Sequence, residues 1–260
     1  MAAASSTPIG QYTNLRLALR RNSEGTATYL NQEFIMQYLS QDLVVLALNP
    51  QTGKTRFSWY AALEYGLVGS LLLDLVLRDK LEIDDDNRVI GAIHASHGQA
   101  TAGNTGDEFL DRHLNEVLAS SRPRTARFWI TRWRRRYRWF QPIVLQNLVD
   151  LGVLERQEQR ILGLFPTQRY FLTDESIQRE IVQQVRAAVL AGTGLNSRMA
   201  ALISLMQASH LTDSVFRPEE RTEARSRIKA IAEGELVGKA VSKAIFIIQA
   251  AATLGAINGV

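Results

Sequence analysis

A chain of 260 residues with 46% hydrophobic and 22% charged side chains can bury a sizeable core, and it lacks the polar tracts that would make disorder, collagen or coiled coil its main state. It has no cysteine, which excludes disulfides, thiolate zinc sites, iron–sulfur clusters and cysteine nucleophiles. The net charge of +4 is uneven: residues 122–138, RPRTARFWITRWRRRYR, hold eight arginines and no acid. The rest of the chain is therefore net acidic, and a local anionic partner fits better than a generally basic protein.

Residues 1–32 are rich in Ala, Ser, Thr and Gly without sustained periodicity and read as a flexible arm, leaving 33–260 as one domain. The helical pattern starts with QEFIMQYLSQDLVVLAL, breaks at NPQTGKT and resumes in WYAALEYGLVGSLLLDLVL. There Leu63, Leu67, Leu71 and Leu75 recur every four residues, and Gly66 and Gly69 permit close helix approach, so this helix belongs deep in the core. KLEIDDDNRVIGAI alternates around an Asp-Asn turn and predicts a hairpin. Thr105 and Glu108 stand three apart, as in a capping box, and predict a helix start. PIVLQNLVDLG opens on proline and ends on Gly152, both helix-boundary signals. VLER and RILGLF, separated by QEQ, predict a second hairpin. Further helices are predicted near Ile177–Leu190, Arg198–Ala208 and Leu236–Ala256, with a shorter one around Arg221–Ala232.

No segment qualifies as a membrane span: the run from Tyr65 to Leu77 is short and contains Asp74, and Ala244 to Val260 contains Gln249 and Asn258. The N-terminus has no basic region followed by an apolar one, so a cytoplasmic location is expected, with any membrane contact peripheral.

Catalytic and metal signals are weak. NPQTGKT lacks the first glycine of a phosphate loop, with Leu48 in its place, and reads as a surface turn. His94 and His97 have no third ligand nearby. Asp84, Asp85 and Asp86 lack the spacing of an EF-hand and suit the hairpin turn. Asp107, Glu108 and Asp111 are explained by a helix cap and first turn rather than by acid–base chemistry. We therefore expect a non-enzymatic chain with no cofactor and no metal.

The arginine segment carries the functional signal. On a helix from Phe128 to Phe140, Trp129, Trp133, Tyr137 and Phe140 fall within about 80° of one another, while Arg127, Arg134 and Arg138 cluster opposite. One face packs and the other offers guanidinium groups, whose planar forks match phosphate. No acid within the segment supplies local ion pairs. Two anionic partners fit. An acidic membrane surface gains about 1 kcal/mol per nearby basic residue. A nucleic acid is the second, because a helix ending at Gly152 followed by a hairpin has the rhythm of a winged helix. Gln146, Asn147 and Asp150 are few polar positions for reading bases, which makes nucleic acid the weaker of the two. A protein-interaction scaffold that never touches membrane is a third reading.

WYAALEYGLVGSLLLDLVLRDKLEI, TGDEFLDRHLNEV, PRTARFWI, LVDLGVLERQEQRILGLFPTQRYFLTD and the helix around MAALISLMQAS, in that order, resemble the Golgi phosphoprotein 3 family over roughly residues 35–252. The resemblance implies a mainly α single domain, with amphipathic helices around a hydrophobic helical core and a small projecting β-hairpin. Eukaryotic members bind phosphatidylinositol 4-phosphate at Golgi membranes through a tryptophan and several arginines, and connect Golgi enzymes to a vesicle coat. Trp59 and Arg138 match two of those pocket positions, while Val68 and Gln141 stand where the family has arginine. The segment between Trp129 and Arg138 is shorter than in eukaryotic members, as in the compact bacterial form. The hairpin would lie near Arg156–Tyr170 and could mediate homo-oligomer contacts, with Leu162, Leu164, Phe165, Tyr170 and Phe171 either packed in the core or forming a membrane- or partner-facing edge.

The expectation is thus a peripheral membrane protein that binds anionic phospholipid headgroups. Arg134, Arg135 and Arg138 would pair with phosphate, and Trp59 would pack at the interface. Pro142 starts the next helix close by, so that helix's N-terminal amides could complete the anion site.

Overall fold

The computed structural model describes residues 36–55, 60–92, 104–137, 140–161 and 165–233. The N-terminal arm, Trp59, the histidines at 94 and 97, Arg138, the hairpin tip Leu162–Leu164 and the helix expected at Leu236–Ala256 lie outside them. The architecture is mainly α with small antiparallel sheets.

Two helices form the centre. α1 (Leu39–Ala47) is buried at every position, and α2 (Tyr60–Leu77) buries Leu63, Leu67, Leu71 and Leu75 together with Val68, Leu72, Leu73 and Val76. Helices buried this completely, with even Ser40, Gln41, Asp42, Glu64, Ser70 and Asp74 inside, keep little solvent face, and the remaining elements wrap these two. Gly66 earns its place: a Cβ there would collide with Ser209 Oγ and sit 3.3 Å from Leu43 Cδ2.

Between α1 and α2, β1 (Leu48–Asn49) and β2 (Lys54–Thr55) pair around the NPQTGKT turn. Asn49 Oδ1 accepts from the amides of Gln51 and Thr52, both at 3.0 Å. The side chain thus occupies the amides that a phosphate loop would turn on its ligand. β3 (Leu81–Ile83) and β4 (Arg88–Gly91) form the first predicted hairpin, with β5 (Arg124–Thr125) added at its edge. At its turn Asp84 Oδ1 accepts from Asp86 N and Arg88 N at 2.9 and 2.8 Å. Among the described residues no group of acids and histidines has the arrangement of a metal site.

α3 spans Glu108–Leu118. The expected Thr105–Glu108 capping box does not form. Asp107 is the N-cap, accepting from Leu110 N at 2.7 Å, and Thr105 instead donates from Oγ1 and N to Asp111 Oδ1 at 2.7 and 2.6 Å. A carboxylate takes the cap because Asp107 is the residue with extended backbone angles immediately before the first turn. Its second oxygen accepts from Tyr38 OH.

The arginine segment forms α4, described over Ala126–Tyr137 and starting two residues before the expected helix, and α5 (Gln141–Asp150) follows with Pro142 in its first turn. Phe140 sits at the N-cap of α5, not on α4. Gly152 takes φ +71° just beyond α5, as the C-terminal signal predicts.

The second hairpin is longer than expected and its turn lies elsewhere. β6 (Leu154–Ile161) runs straight through QEQ and pairs along its whole length with β7 (Phe165–Leu172). Residues 155–160 are all exposed, so β6 projects with neither face buried beyond Leu154, while Tyr170 and Leu172 of β7 pack partly against the core at the base. Without a buried face there is no alternation to distinguish a strand from a polar turn. Its base is seated on the NPQTGKT turn: Tyr170 N donates to Gly53 O at 2.8 Å. A Cβ on Gly53, whose φ is +61°, would lie 2.8 Å from the Phe171 ring. Gly53→Ala is therefore expected to cost about 1–3 kcal/mol. Amide hydrogen exchange should rise in β6 and β7 while α1 and α2 stay protected.

α6 (Ser176–Arg186) continues as a π-helical turn, Ala187–Ala191, and stops at Gly192 with φ +70°. α7 (Ser197–Ala208), capped by Asn196, packs on α1 and α2. A short α8 (Thr212–Val215) and a 3-10 turn lead into α9 (Arg221–Glu233).

Two carboxylates lie deep in this core. Asp74 of α2 accepts from Leu39 N with both oxygens at 3.3 Å, and Asp42 of α1 lies 2.7 Å from Arg198 Nη1. Burial pushes Asp74 up to about 7, against the pull of the Leu39 amide, Arg198 and Arg78. It pushes Asp42 up to about 6 against the pull of Arg198.

Candidate functional site

α4 is positioned by its aromatic face. Trp129, Ile130 and Trp133 are buried, and Phe140 closes the same cluster from the head of α5, stacked on Phe109 at 5.9 Å between centroids. Thr125 Oγ1 accepts from Phe128 N at 3.3 Å, which satisfies one amide of the first turn. Below α4, His113 of α3 is fully buried, meets the Trp133 ring edge-on at 5.0 Å and is hydrogen bonded at both nitrogens. Phe109 O lies 2.7 Å from Nδ1 and Tyr137 OH 2.7 Å from Nε2. Burial holds its imidazole down at about 4. It bridges two helices as a neutral ring.

With the aromatics anchored, the arginines sort into three groups. Arg132 and Arg136 fold back on Glu116 of α3. Arg136 Nη1 and Nη2 donate to its two oxygens at 2.7 and 3.1 Å, Arg132 Nε donates to Oε1, and Trp133 Nε1 adds a bond of 3.2 Å. Partial burial works against this carboxylate, but the two guanidinium groups hold it below the usual range. Arg134 turns the other way and lies 4.6 Å over the Tyr65 ring. Arg127 and Arg135, with no hydrogen bond or ion pair among the described residues, point outward. They line an open cleft of about 640 Å³ together with Thr125, Phe128, Thr131, Arg132 and Arg136.

Of the four expected headgroup residues, Arg134 and Arg135 are therefore on one helix but on different faces, and Trp59 and Arg138 are outside the described residues. The remaining pocket positions are occupied internally. Val68 is fully buried in the core. Gln141 is buried, and its Nε2 donates to Thr55 Oγ1 at 2.9 Å. The first amides of α5, expected to help hold an external anion, bind an internal one: Phe140 N and Gln141 N donate to Glu64 Oε2 and Oε1 at 2.8 and 3.1 Å. Burial raises the Glu64 carboxyl, and those two amides and Arg134 pull it back. α2 thus supplies its own carboxylate to the head of α5, where helix geometry favours negative charge.

Glu64, Glu116 and His113 were not among the residues the sequence singled out. Each acts across helices far apart in the chain, and no local spacing marks such a pairing. Two of the polar positions considered for reading bases have partners within the protein. Asn147 Oδ1 accepts from Gln41 Nε2 at 2.7 Å, and Gln146 is engaged with Asp150 and Arg156.

These features define a mainly helical domain with a buried central helix pair, a projecting hairpin and an arginine-studded surface helix. Among its described residues no helix is long and apolar enough to cross a membrane. The chain belongs to the Golgi phosphoprotein 3 (GPP34) family, whose model matches residues 39–248.

Proposed function

We propose that this chain is a non-enzymatic peripheral membrane protein that docks on acidic phospholipid headgroups through the arginine surface of α4. The observation that carries the reading is a concentration of arginine without local acid in a chain otherwise net acidic, with Arg127 and Arg135 left outward and unpaired among the described residues. Family membership supports it, since lipid binding is what the resemblance implied. In this reading Arg135 meets phosphate directly, Arg134 adds positive charge from the Tyr65 side, and Trp59 and Arg138 complete the interface. Phosphatidylinositol 4-phosphate is one acidic lipid among several for this surface. Selectivity for it would need the positions held by Val68 and Gln141, and both side chains face inward.

Co-sedimentation of the purified protein with vesicles tests this. Neutral lipid should leave the protein in the supernatant. Neutral lipid mixed with phosphatidylserine, or with phosphatidylinositol 4-phosphate at matched charge, should pellet it equally and in a salt-dependent way. Arg134, Arg135 and Arg138 changed together to alanine should weaken both. Retention in the supernatant with every acidic mixture overturns the reading, and pelleting with duplex DNA alone would move it to nucleic acid.

A further inference from the structure

Phe128 is the one large hydrophobic side chain that stands exposed among the described residues, at 38%, and it stands in the arginine cleft. Its ring is held outward: the Arg124 guanidinium lies 5.0 Å over one face, and the Trp129 ring meets it edge-on at 5.2 Å. Two ridges run along α4 beside it. Arg127, Thr131 and Arg135 recur every four residues on one, and Phe128, Arg132 and Arg136 on the next.

The second ridge is stiffened from below by Glu116, while the first carries no counter-charge among the described residues. α9 makes the contrast. It is also rich in arginine, but Arg221 and Arg225 pair with Asp213, Arg227 pairs with Glu223, and Arg227 also bonds to Leu190 O. These α9 arginines have acidic partners, and Arg127 and Arg135 of α4 have none among the described residues.

We propose that this cleft is the membrane-contact surface, with the Phe128 ring entering the boundary between headgroups and acyl chains while Arg127 and Arg135 take separate lipid phosphates on either side of Thr131. The proposal rests on the peripheral-membrane reading above and gives it a place and an orientation. An aromatic ring flanked by cations is the side-chain set that an acidic bilayer interface accommodates: the ring leaves water and the guanidinium groups stay at phosphate depth. The two arginines leave the helix about 12 Å apart along one ridge, a spacing suited to two headgroups rather than to one chelated phosphate. The occupant is thus a lipid surface, and free inorganic phosphate should compete no better than its ionic strength dictates.

The chain has no native cysteine, so Phe128→Cys provides a unique attachment point for an environment-sensitive fluorophore, and Ser226→Cys on the exposed side of α9 is the control. On vesicles of phosphatidylcholine with phosphatidylserine, the label at 128 should shift to the blue and brighten, and the label at 226 should not. Both labels should be silent on phosphatidylcholine alone. Arg127→Gln with Arg135→Gln should lower vesicle affinity about thirty-fold, whereas Arg225→Gln with Arg227→Gln, an equal change in net charge, should lower it less than about threefold. All four positions are exposed, and circular dichroism confirms that each variant is folded. Unchanged fluorescence at 128 in protein that pellets with acidic vesicles overturns the proposal and leaves the general reading standing, as does equal loss from the two arginine pairs. Failure of the parent protein to pellet overturns both.

Discussion

Glu64→Ala should destabilise the protein by roughly 3 kcal/mol, the scale set by leaving two buried amides without an acceptor. The amides are those of Phe140 and Gln141, so the damage should concentrate where α4 gives way to α5. Hydrogen exchange at these two positions should accelerate well beyond the change in global stability. Glu64→Gln keeps one acceptor oxygen and should cost less. Because the head of α5 attracts negative charge whoever supplies it, sulfate should stabilise Glu64→Ala more than it stabilises the parent. Equal sulfate effects on both proteins would show that the carboxylate does not fill an anion site. This experiment bears on function as well as stability. The internal carboxylate at the head of α5 already accepts from those amides, so an external phosphate would have to displace Glu64 to use them.

Asp74→Asn should reveal a pH dependence opposite to the one surface carboxylates produce. Burial raises Asp74 to about 7 in the folded chain, above its value when unfolded. Between about pH 4 and pH 7 the folded state keeps a proton that the unfolded state has lost, so this residue's contribution to stability falls as pH rises and levels off above about pH 7. Asparagine carries no such proton. The stability of the variant relative to the parent should therefore climb across that window by roughly 4 kcal/mol in total, whatever offset its amide introduces at the acid end. Asp42, raised to about 6, slopes in the same direction. His113, held down at about 4, slopes in the opposite direction: it loses stability as pH falls from its unfolded value. His113 is present in both proteins and cancels in the difference, whereas Asp42, whose charge acts on Asp74 and which shares Arg198 with it, titrates together with Asp74 and adds to the same slope. Urea titrations at several pH values measure it, and a flat difference would mean that Asp74 is ionised in the fold at little cost. Arg198 and Arg78 are the cations that would have to provide that relief.

The central helix was legible in the chain because Leu63, Leu67, Leu71 and Leu75 recur every four residues in a stretch where Glu64, Ser70 and Asp74 are the polar interruptions, and so much apolar surface favours burial. The α4 surface was legible for a similar reason: a helix with tryptophans on one stripe must turn its remaining residues outward, and here most are arginines. Local chemistry also placed the boundaries that depend on backbone alone, such as the end of α5 before Gly152. The Thr105 cap failed because Asp107, two residues on, offers a stronger acceptor in the same turn. The QEQ turn failed because a projecting strand has no buried face to impose a pattern.

What sequence by itself determined is therefore the composition of the site: an arginine-rich, acid-free helix with a packing stripe, in a mainly helical domain. Only the tertiary structure decided which of those arginines are available. Glu116 lies on a different helix from Arg132 and Arg136, and Tyr65 and Glu64 lie far from Arg134 in sequence. Whether a guanidinium faces solvent or an internal partner depends on which helices pack side by side. That choice comes from burial of the apolar stripes, a non-directional force summed over the whole core, and it leaves no trace in the spacing of the charged residues themselves.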